Sequence, residues 1–413
     1  WEAMENKHCR FCGKELKHTL ADLGLSPISN EYIGEENIDF GQYFYPLHVM
    51  VCEECFLAQV MEYKAPEQIF TNYKYFSSFS KSWLAHCKKY VDMIVGRLQL
   101  DERSQVYEIA CNDGYLLQYF QPYHIPVCGV EPAENVARKA QEKGIDVKVD
   151  FWSADTAKQI CERHGKADLI IGNNVLAHVP DINSFVEGIR IALKESGTVT
   201  MEFPHLLQLI RLNQFDTIYQ EHFSYFSLMT ACKVFEKHGM KIYDVEELTT
   251  HGGSLRIYAT PLTNADYAVS SDVERIIEEE KEYGFENMET YQAFAGRVTK
   301  IKRDSCKLLI KLKEEGKKIA AFGAAAKGNT FLNYCGIGKE YIDFVADSST
   351  EKQGLYLPGT RLPIVSPEKI REERPDYIVF LAWNLKEEFS QLLEYTREWG
   401  CKFITFIPET EVF

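Results

Sequence analysis

Between residues 106 and 262 short apolar runs alternate with amphipathic ones, so the hydrophobic period switches repeatedly from two to about 3.6. VYEIA (106–110), PVCGVEP (126–132), DVKVDF (146–151) and ADLIIGNN (167–174) predict four strands, each followed by a stretch of helical spacing. YLLQYF (115–120) opens the first helix, and INSFVEGIRIAL (182–193) leads to a fifth strand, GTVTMEFP (197–204). Such alternation implies α/β architecture around a doubly wound, mostly parallel sheet. MKIYDVEEL (240–248) and HGGSLRIYATPL (251–262), joined through a Gly-Gly turn, predict an antiparallel hairpin at its end.

A second α/β pattern follows. Past the linker-like TNADYAVSS (263–271), a charged helical stretch (272–316) leads to the strand KIAAFG (318–323). IDFVADSS (342–349), PDYIVFLAWN (375–384) and KFITFIP (402–408) predict further strands of a Rossmann-like sheet. Upstream, SWLAHCKKYVDMIVGRL (82–98) reads as a helix with Ser80 or Ser82 as its N-cap. Residues 1–70 are loop-rich (LGLSPISNEY, then YPLHVM) and too few to bury much core. The expected units are therefore 1–70, 71–262 and 263–413, in keeping with 413 residues and two or three cores.

Composition narrows the classes. Hydrophobic residues at 45% describe a soluble globular chain, and no apolar run approaches the ~20 residues of a membrane helix. A net charge of −15 argues against a general nucleic-acid binder, so an anionic ligand needs a local cationic pocket. Twelve cysteines with no export signal evident lead to the expectation of a reducing, cytoplasmic setting, in which thiols are free or hold metal.

Metal is the expectation for four of them. Cys9-Arg10-Phe11-Cys12 and Cys52-Glu53-Glu54-Cys55 are two CxxC knuckles, which together form a closed tetrahedral thiolate site for structural zinc. The 39 residues between them predict a hairpin excursion, with His8 and His48 as bystanders.

The candidate cofactor site begins at Val106–Gly114. Strand VYEIA, with Glu108 inside it, runs into a polar turn of Ala110, Cys111, Asn112, Asp113 and Gly114. Glu131, followed by Pro132, ends the next strand and is placed to take ribose hydroxyls. There is no GxGxxG and no helix-start lysine, which suits a cationic, phosphate-free cofactor such as S-adenosylmethionine (SAM) as well as another Rossmann-like domain. The terminal hairpin favours the SAM-methyltransferase arrangement. Asp150 and Phe151 are then placed for an adenine, and Asn173 and Asn174 lead on to His178 at the carboxyl end of the fourth strand.

Further along, Tyr219, Glu221 and His222 combine a phenol, an acid and an imidazole after the fifth strand, the instruments of general acid/base chemistry. The small-residue turn Gly323–Asn329 opens a helix and carries one lysine. Ala325, Lys327 and Asn329 are candidate holders of a substrate diphosphate and Asp347 stands where a ribose carboxylate would, the competing reading being a Rossmann-like domain without a cofactor of its own.

In this order, CxxC…CxxC, YxYxSSxS, EIxCNDG, EP, DF, NxxxH, the Tyr-x-Glu-His of Tyr219–His222, HGG and GAAAKGNT resemble the SAM-dependent sugar C-methyltransferases that act on nucleotide-linked 4-keto deoxysugars. The resemblance spans residues 5–413. It implies a zinc-binding lobe, a SAM domain and a C-terminal Rossmann-like domain, with a nucleoside-diphosphate 4-keto-deoxysugar as substrate. The oligomeric state stays open, since the charged stretch near 272–315 can pack within the chain or between subunits, with a monomer favoured. It also implies active-site roles for Tyr73, His178, Tyr219, Glu221 and His222. Ala110 departs from the family's more usual glycine. On carbon, methylation needs an enolate, so His222 is expected to act as base. O- or N-methylation, or SAM binding without catalysis, are the competing readings.

Overall fold

Val106–Ile109 is buried along its whole length, as an unbroken apolar strand in mid-sheet must be. A computed structural model describes residues 7–65, 67–68 and 76–413. The first lobe contributes β1 (His18–Ser26), β2 (Tyr45–Val51) and β3 (Ala58–Val60), and helix α1 (Lys81–Leu98) follows. Ser80 is the N-cap of α1, its side chain accepting from the Trp83 amide.

The central unit holds β4 (Val106–Ile109), β5 (Val127–Val130), α2 (Glu134–Glu142), β6 (Asp146–Lys148), α3 (Ala154–His164) and β7 (Ala167–Asn173). It continues through α4 (Ile182–Ala192), β8 (Leu193–Pro204), α5 (Leu206–Arg211), β9 (Ser224–Tyr225), α6 (Leu228–Lys237), β10 (Met240–Leu248) and β11 (Ser254–Pro261). The sheet order is β10-β11-β8-β7-β4-β5-β6, and β11 runs antiparallel to both of its neighbours. Every other pairing in that sheet, among the described residues, is parallel. This is a doubly wound α/β sheet closed by an antiparallel hairpin.

Helices α7 (Ser271–Glu282) and α8 (Met288–Glu314) lead into a third sheet. It is built from β12 (Ile319–Phe322), α9 (Ala326–Cys335), β13 (Val345–Ala346), β14 (Ile364–Val365), β15 (Tyr377–Phe380), β16 (Lys402–Thr405) and β17 (Glu411–Val412). Its order is β14-β13-β12-β15-β16-β17, with β17 antiparallel at the edge.

The lobes share cores. β9 pairs with β3, so a strand that begins two residues after His222 completes the first lobe's sheet. Cys9, Phe11 and Leu16 pack in one cluster with Phe185, Ile189 and Phe235. Leu20, Leu47 and Val49 share another with Leu206, Phe294 and Leu332. No helix among the described residues is long and apolar enough to cross a membrane.

One local expectation fails. YLLQYF does not form an α-helix; turns lead into a 3-10 helix over Leu117–Tyr123. Pro122 lies inside that segment, and its missing N–H and bulky ring forbid an α-helical bond to the preceding turn. The charged stretch 272–316 likewise divides into α7 and α8, broken where Gly284 takes φ +99°.

Candidate active site

The zinc cluster is built by two tight turns. Cys9 accepts from the Gly13 amide (2.8 Å), and Cys52 accepts from the Phe56 amide (3.0 Å), so each loop turns both of its thiols inward. The Sγ atoms of Cys9, Cys12, Cys52 and Cys55 all lie within 4.8 Å of one another. Cys9–Cys55 and Cys12–Cys52 are both 3.5 Å apart. Zn–S bonds of about 2.3 Å at tetrahedral angles call for edges near ~3.8 Å, so these donors fit zinc. The Gln59 amide donates to Cys9 Sγ (3.3 Å) and the Glu54 amide to Cys52 Sγ (3.4 Å), both favouring thiolates. His48 is hydrogen-bonded to Thr19 (2.8 Å), outside the cluster.

At the carboxyl end of β4 the turn takes left-handed backbone at alternate residues, with φ +57° at Ala110, +48° at Asn112 and +74° at Gly114. Ala110 therefore holds a conformation in which its Cβ crowds the backbone, a strain of about 1–2 kcal/mol. Ala110→Gly is accordingly expected to raise stability by about 1 kcal/mol, measured as a higher thermal midpoint. The Cys111 side chain is turned away, because a Cβ added at Gly129 would sit 2.3 Å from its Sγ. Its thiol packs against Gly129 and donates to the Asn112 carbonyl (3.8 Å).

Glu131 fastens this turn. Its carboxylate accepts from the amides of Asn112 (3.0 Å) and Ala133 (2.9 Å). Burial nevertheless pushes its pKa up to about 7, with Asp113 adding like charge. Glu108 is fully buried beside Tyr115, and burial together with Glu131 and Asp113 raises its carboxyl well above the usual range. Three acids grouped in this way favour a cation beside them. Pro132, Asp150 and Phe151 are half-buried along the rim, and Asp150 Oδ1 accepts from the Phe151 amide (2.9 Å).

Asn173 ends β7, and Asn174 follows at φ +54°. Asn173 Nδ2 and Asn174 Oδ1 are buried without a hydrogen-bond partner among the described residues. Unpartnered amide atoms beside clustered carboxyls fit a ligand with both charged and hydrogen-bonding groups, as SAM has.

The Tyr219–His222 loop is held from three directions. The His222 amide bonds to the Tyr219 carbonyl (2.9 Å), the Phe223 amide to Ala177 (2.7 Å), and the Val60 amide to Phe223 (3.0 Å). His222 thus stands between the 3-10 turn that carries His178 and the first lobe's sheet. Its ring centroid lies 4.0 Å from that of Tyr219 and 4.7 Å from that of His178.

His222 Nδ1 lies 3.0 Å from the Thr217 carbonyl. A carbonyl can only accept, so Nδ1 bears the hydrogen and Nε2 keeps the lone pair. Burial and the neighbouring His178 depress the His222 pKa well below the usual imidazole range, and burial holds His178 at about 4. Both rings are neutral near pH 7. Glu221 is 1% exposed, and both its carboxylate oxygens accept from Asn30 Nδ2 (2.8 and 3.0 Å). Thr217 therefore orients His222, and Glu221 is free of that duty. Tyr73 lies outside the described residues.

Three family descriptions match in register along this chain. They are "Putative zinc binding domain" over residues 9–70, "Methyltransferase domain" over 83–245, and "C-methyltransferase C-terminal domain" over 249–408. The C-methyltransferase NovU of Streptomyces niveus is 36% identical over 404 residues, spanning 98% of this chain and 96% of that one. The chain belongs to the C-methyltransferase family. A ubiquinone biosynthesis O-methyltransferase of Bordetella avium is 26% identical over 113 residues, 27% of this chain and 46% of its own. The SAM-bound magnesium protoporphyrin IX methyltransferase of Synechocystis PCC 6803 is 16% identical. It covers 44% of this chain and 81% of that one at a TM-score of 0.33, too slight a likeness to weigh further.

This C-methyltransferase is a SAM-dependent enzyme with a zinc-binding lobe. Its C-terminal unit brings residues up to the loop that carries Tyr219 and His222. Lys327 on α9 bonds to Asn384 (2.8 Å) and lies 5.1 Å from the Trp383 ring. Trp383 in turn donates to Asp216 (2.8 Å), three residues before Tyr219. Burial lowers the pKa values of His222 and His251, and the Lys327 charge adds to it at both.

Ala325 caps α9, whereas Asn329 is 1% exposed and donates to the Ser29 carbonyl (2.6 Å), turned into the junction between lobes. Asp347 is occupied by the amides of Ala324 (2.6 Å) and Ser349 (2.8 Å). Asn30, Thr217, Asp216 and Trp383 escape sequence reading, since no motif spacing links them to the site. His251, whose Nε2 lies 3.2 Å from Asn174 Nδ2, was visible only as part of HGG.

Proposed function

We propose that this C-methyltransferase methylates carbon 3 of a nucleotide-linked 4-keto-deoxysugar through an enolate, in branched deoxysugar synthesis. Carbon is a poor nucleophile, and an adjacent ketone makes the carbon 3 proton removable. When bound, SAM supplies an electrophilic methyl group on a sulfonium. His222 Nε2 takes the carbon 3 proton, its tautomer fixed by the Thr217 carbonyl. His178 and either Tyr219 or Tyr73 meet the keto oxygen or neighbouring hydroxyls, where donors stabilise the enolate charge. Glu221 binds the sugar.

The cofactor assignment follows the strand ends. Glu131 takes the ribose hydroxyls. Asp150 and Phe151 hold the adenine, the carboxylate at its amino group and the ring on its face. Glu108, the 110–114 turn, Pro132, Asn173 and Asn174 complete the cradle. In this reading residues 1–70 hold zinc, 71–262 bind SAM and 263–413 take the nucleotide, in a reducing compartment where the twelve thiols stay unpaired.

The observation that carries this reading is the base-ready Nε2 of His222, buried between a phenol and a second neutral imidazole. Incubation with a thymidine-diphosphate-linked 4-keto-6-deoxy sugar in deuterated water tests it. Deuterium and then methyl should appear at carbon 3. A new methyl on oxygen or nitrogen, with the carbon 3 proton retained, would reject it.

Ala325 and Lys327 are assigned to the substrate diphosphate, with Asn329 supporting them from the junction. Lys327→Met is expected to raise KM for the nucleotide sugar 10- to 100-fold, about 1.4–2.7 kcal/mol, with SAM affinity unchanged. An unaltered KM in steady-state assays would remove the lysine from that role.

A further inference from the structure

The segment Ser26–Ile33 leaves β1 and passes between the loop that carries His222 and helix α9. It is fixed on both sides. Gln220 donates to the Ser26 carbonyl (3.1 Å), and Ser29 Oγ bonds to Thr330 Oγ1 (3.4 Å), which itself donates to the Ile218 carbonyl (2.9 Å). Tyr32 donates to the Ala324 carbonyl (2.7 Å), and Ile33 exchanges backbone bonds with Tyr356 (3.0 and 2.9 Å). The Asn30 carboxamide, between these anchors, has little freedom to leave Glu221.

We infer that Asn30, carried into the active site by the zinc lobe, is a positioning residue that sets the charge state of the Glu221 carboxylate. This rests on the reading of Glu221 as a carboxylate of the substrate site. A carboxamide NH2 that donates to both oxygens of a carboxylate has no counterpart bond of equal strength to the neutral acid, so it favours the anion. Burial opposes it. Around Glu221, Lys64 from the chain after β3 adds a favourable positive charge, Tyr32 stands on the same segment, and the neutral His178 meets the Glu221 backbone. His222 follows next in the chain and is neutral as well. The balance leaves Glu221 with a pKa of about 7, raised chiefly by burial and pulled back by Asn30 and then Lys64. Asn30 is the sole partner in this set that touches the carboxylate oxygens through a hydrogen bond, among the described residues.

The sign follows from the chemistry. Removing donors that stabilise the anion raises the Glu221 pKa further, so a larger share is protonated at neutral pH and the acidic limb of the rate profile moves to higher pH. No step beyond proton binding is required.

The test uses the full-length, zinc-loaded enzyme with SAM and the same thymidine-diphosphate-linked 4-keto-6-deoxy sugar, measuring kcat/KM across pH. Wild type should show an acidic limb near pH 7. Asn30→Ala should move it up by about one unit, and Asn30→Ser, which keeps a single donor, by less. Zinc content and SAM affinity matching wild type establish that each variant is folded, and the serine variant keeps the test alive should alanine disturb the junction. A uniform fall in rate with the limb in place would overturn the inference, leaving Asn30 a structural strut. Glu221→Gln separates the two readings. Should that variant keep the wild-type limb, the Glu221 assignment itself fails. Should it lose the limb while the Asn30 variants leave it unmoved, the role of Asn30 alone is rejected.

Discussion

Replacing His222 by asparagine is expected to lower turnover by about a thousandfold, roughly 4 kcal/mol in the barrier, while SAM still binds. Asparagine suits the test because its amide can still donate toward the Thr217 carbonyl, which now receives His222 Nδ1 at 3.0 Å. What it lacks is the lone pair that Nε2 presents. The loop should therefore stay in place while the proton acceptor is lost. Calorimetric SAM affinity within a factor of about two of wild type would establish the first point, and deuterium exchange at carbon 3 reads the second. Exchange at the wild-type rate would transfer the base role elsewhere, with His178, 4.7 Å away between ring centroids, as the next candidate.

Loss of zinc is expected to be nearly as damaging, although its four thiols stand apart from the proposed acid/base group. Cys52→Ala removes one of four converging thiolates, and the remaining three cannot close the tetrahedron. The lobe cannot simply melt by itself. Thr230 on α6 bonds to the Cys55 carbonyl (3.1 Å), Asn183 on α4 to the carbonyls of Arg10 (3.2 Å) and Phe11 (3.1 Å), and β9 completes the lobe's sheet beside His222. A stability loss of several kcal/mol should lower the thermal midpoint by roughly 10 °C or more. Methyl transfer should fall with the zinc content, both in the variant and in wild type treated with a chelator. A zinc-free protein that melts and turns over like wild type would refute this coupling.

Much of the candidate site is legible in the sequence because its signals are local. Val106–Gly114 combines a buried strand with a polar turn, and Glu131 ends the next apolar run, so spacing alone placed both at the carboxyl edge of one sheet. The CxxC pairs carried their own geometry. YLLQYF has the spacing of a helix, but that spacing stops just short of Pro122, and the proline decides how the turn is wound. Thr217 as the orienting partner of His222 was not legible, since a backbone carbonyl leaves no trace in residue type.

The amino-acid sequence by itself determined the alternating strands of two α/β sheets, the terminal hairpin, the four zinc thiols and the acid–imidazole pair. Each depends on neighbours a few residues away or on a fixed short spacing. Only the tertiary structure decided that Asn30 meets Glu221 across 191 residues, that Lys327 comes within electrostatic reach of His222, and that β9 joins the zinc lobe's sheet. Those pairings follow from how three sheets bury a shared apolar surface, and long-range burial of that kind selects partners without marking them in the local pattern of the chain.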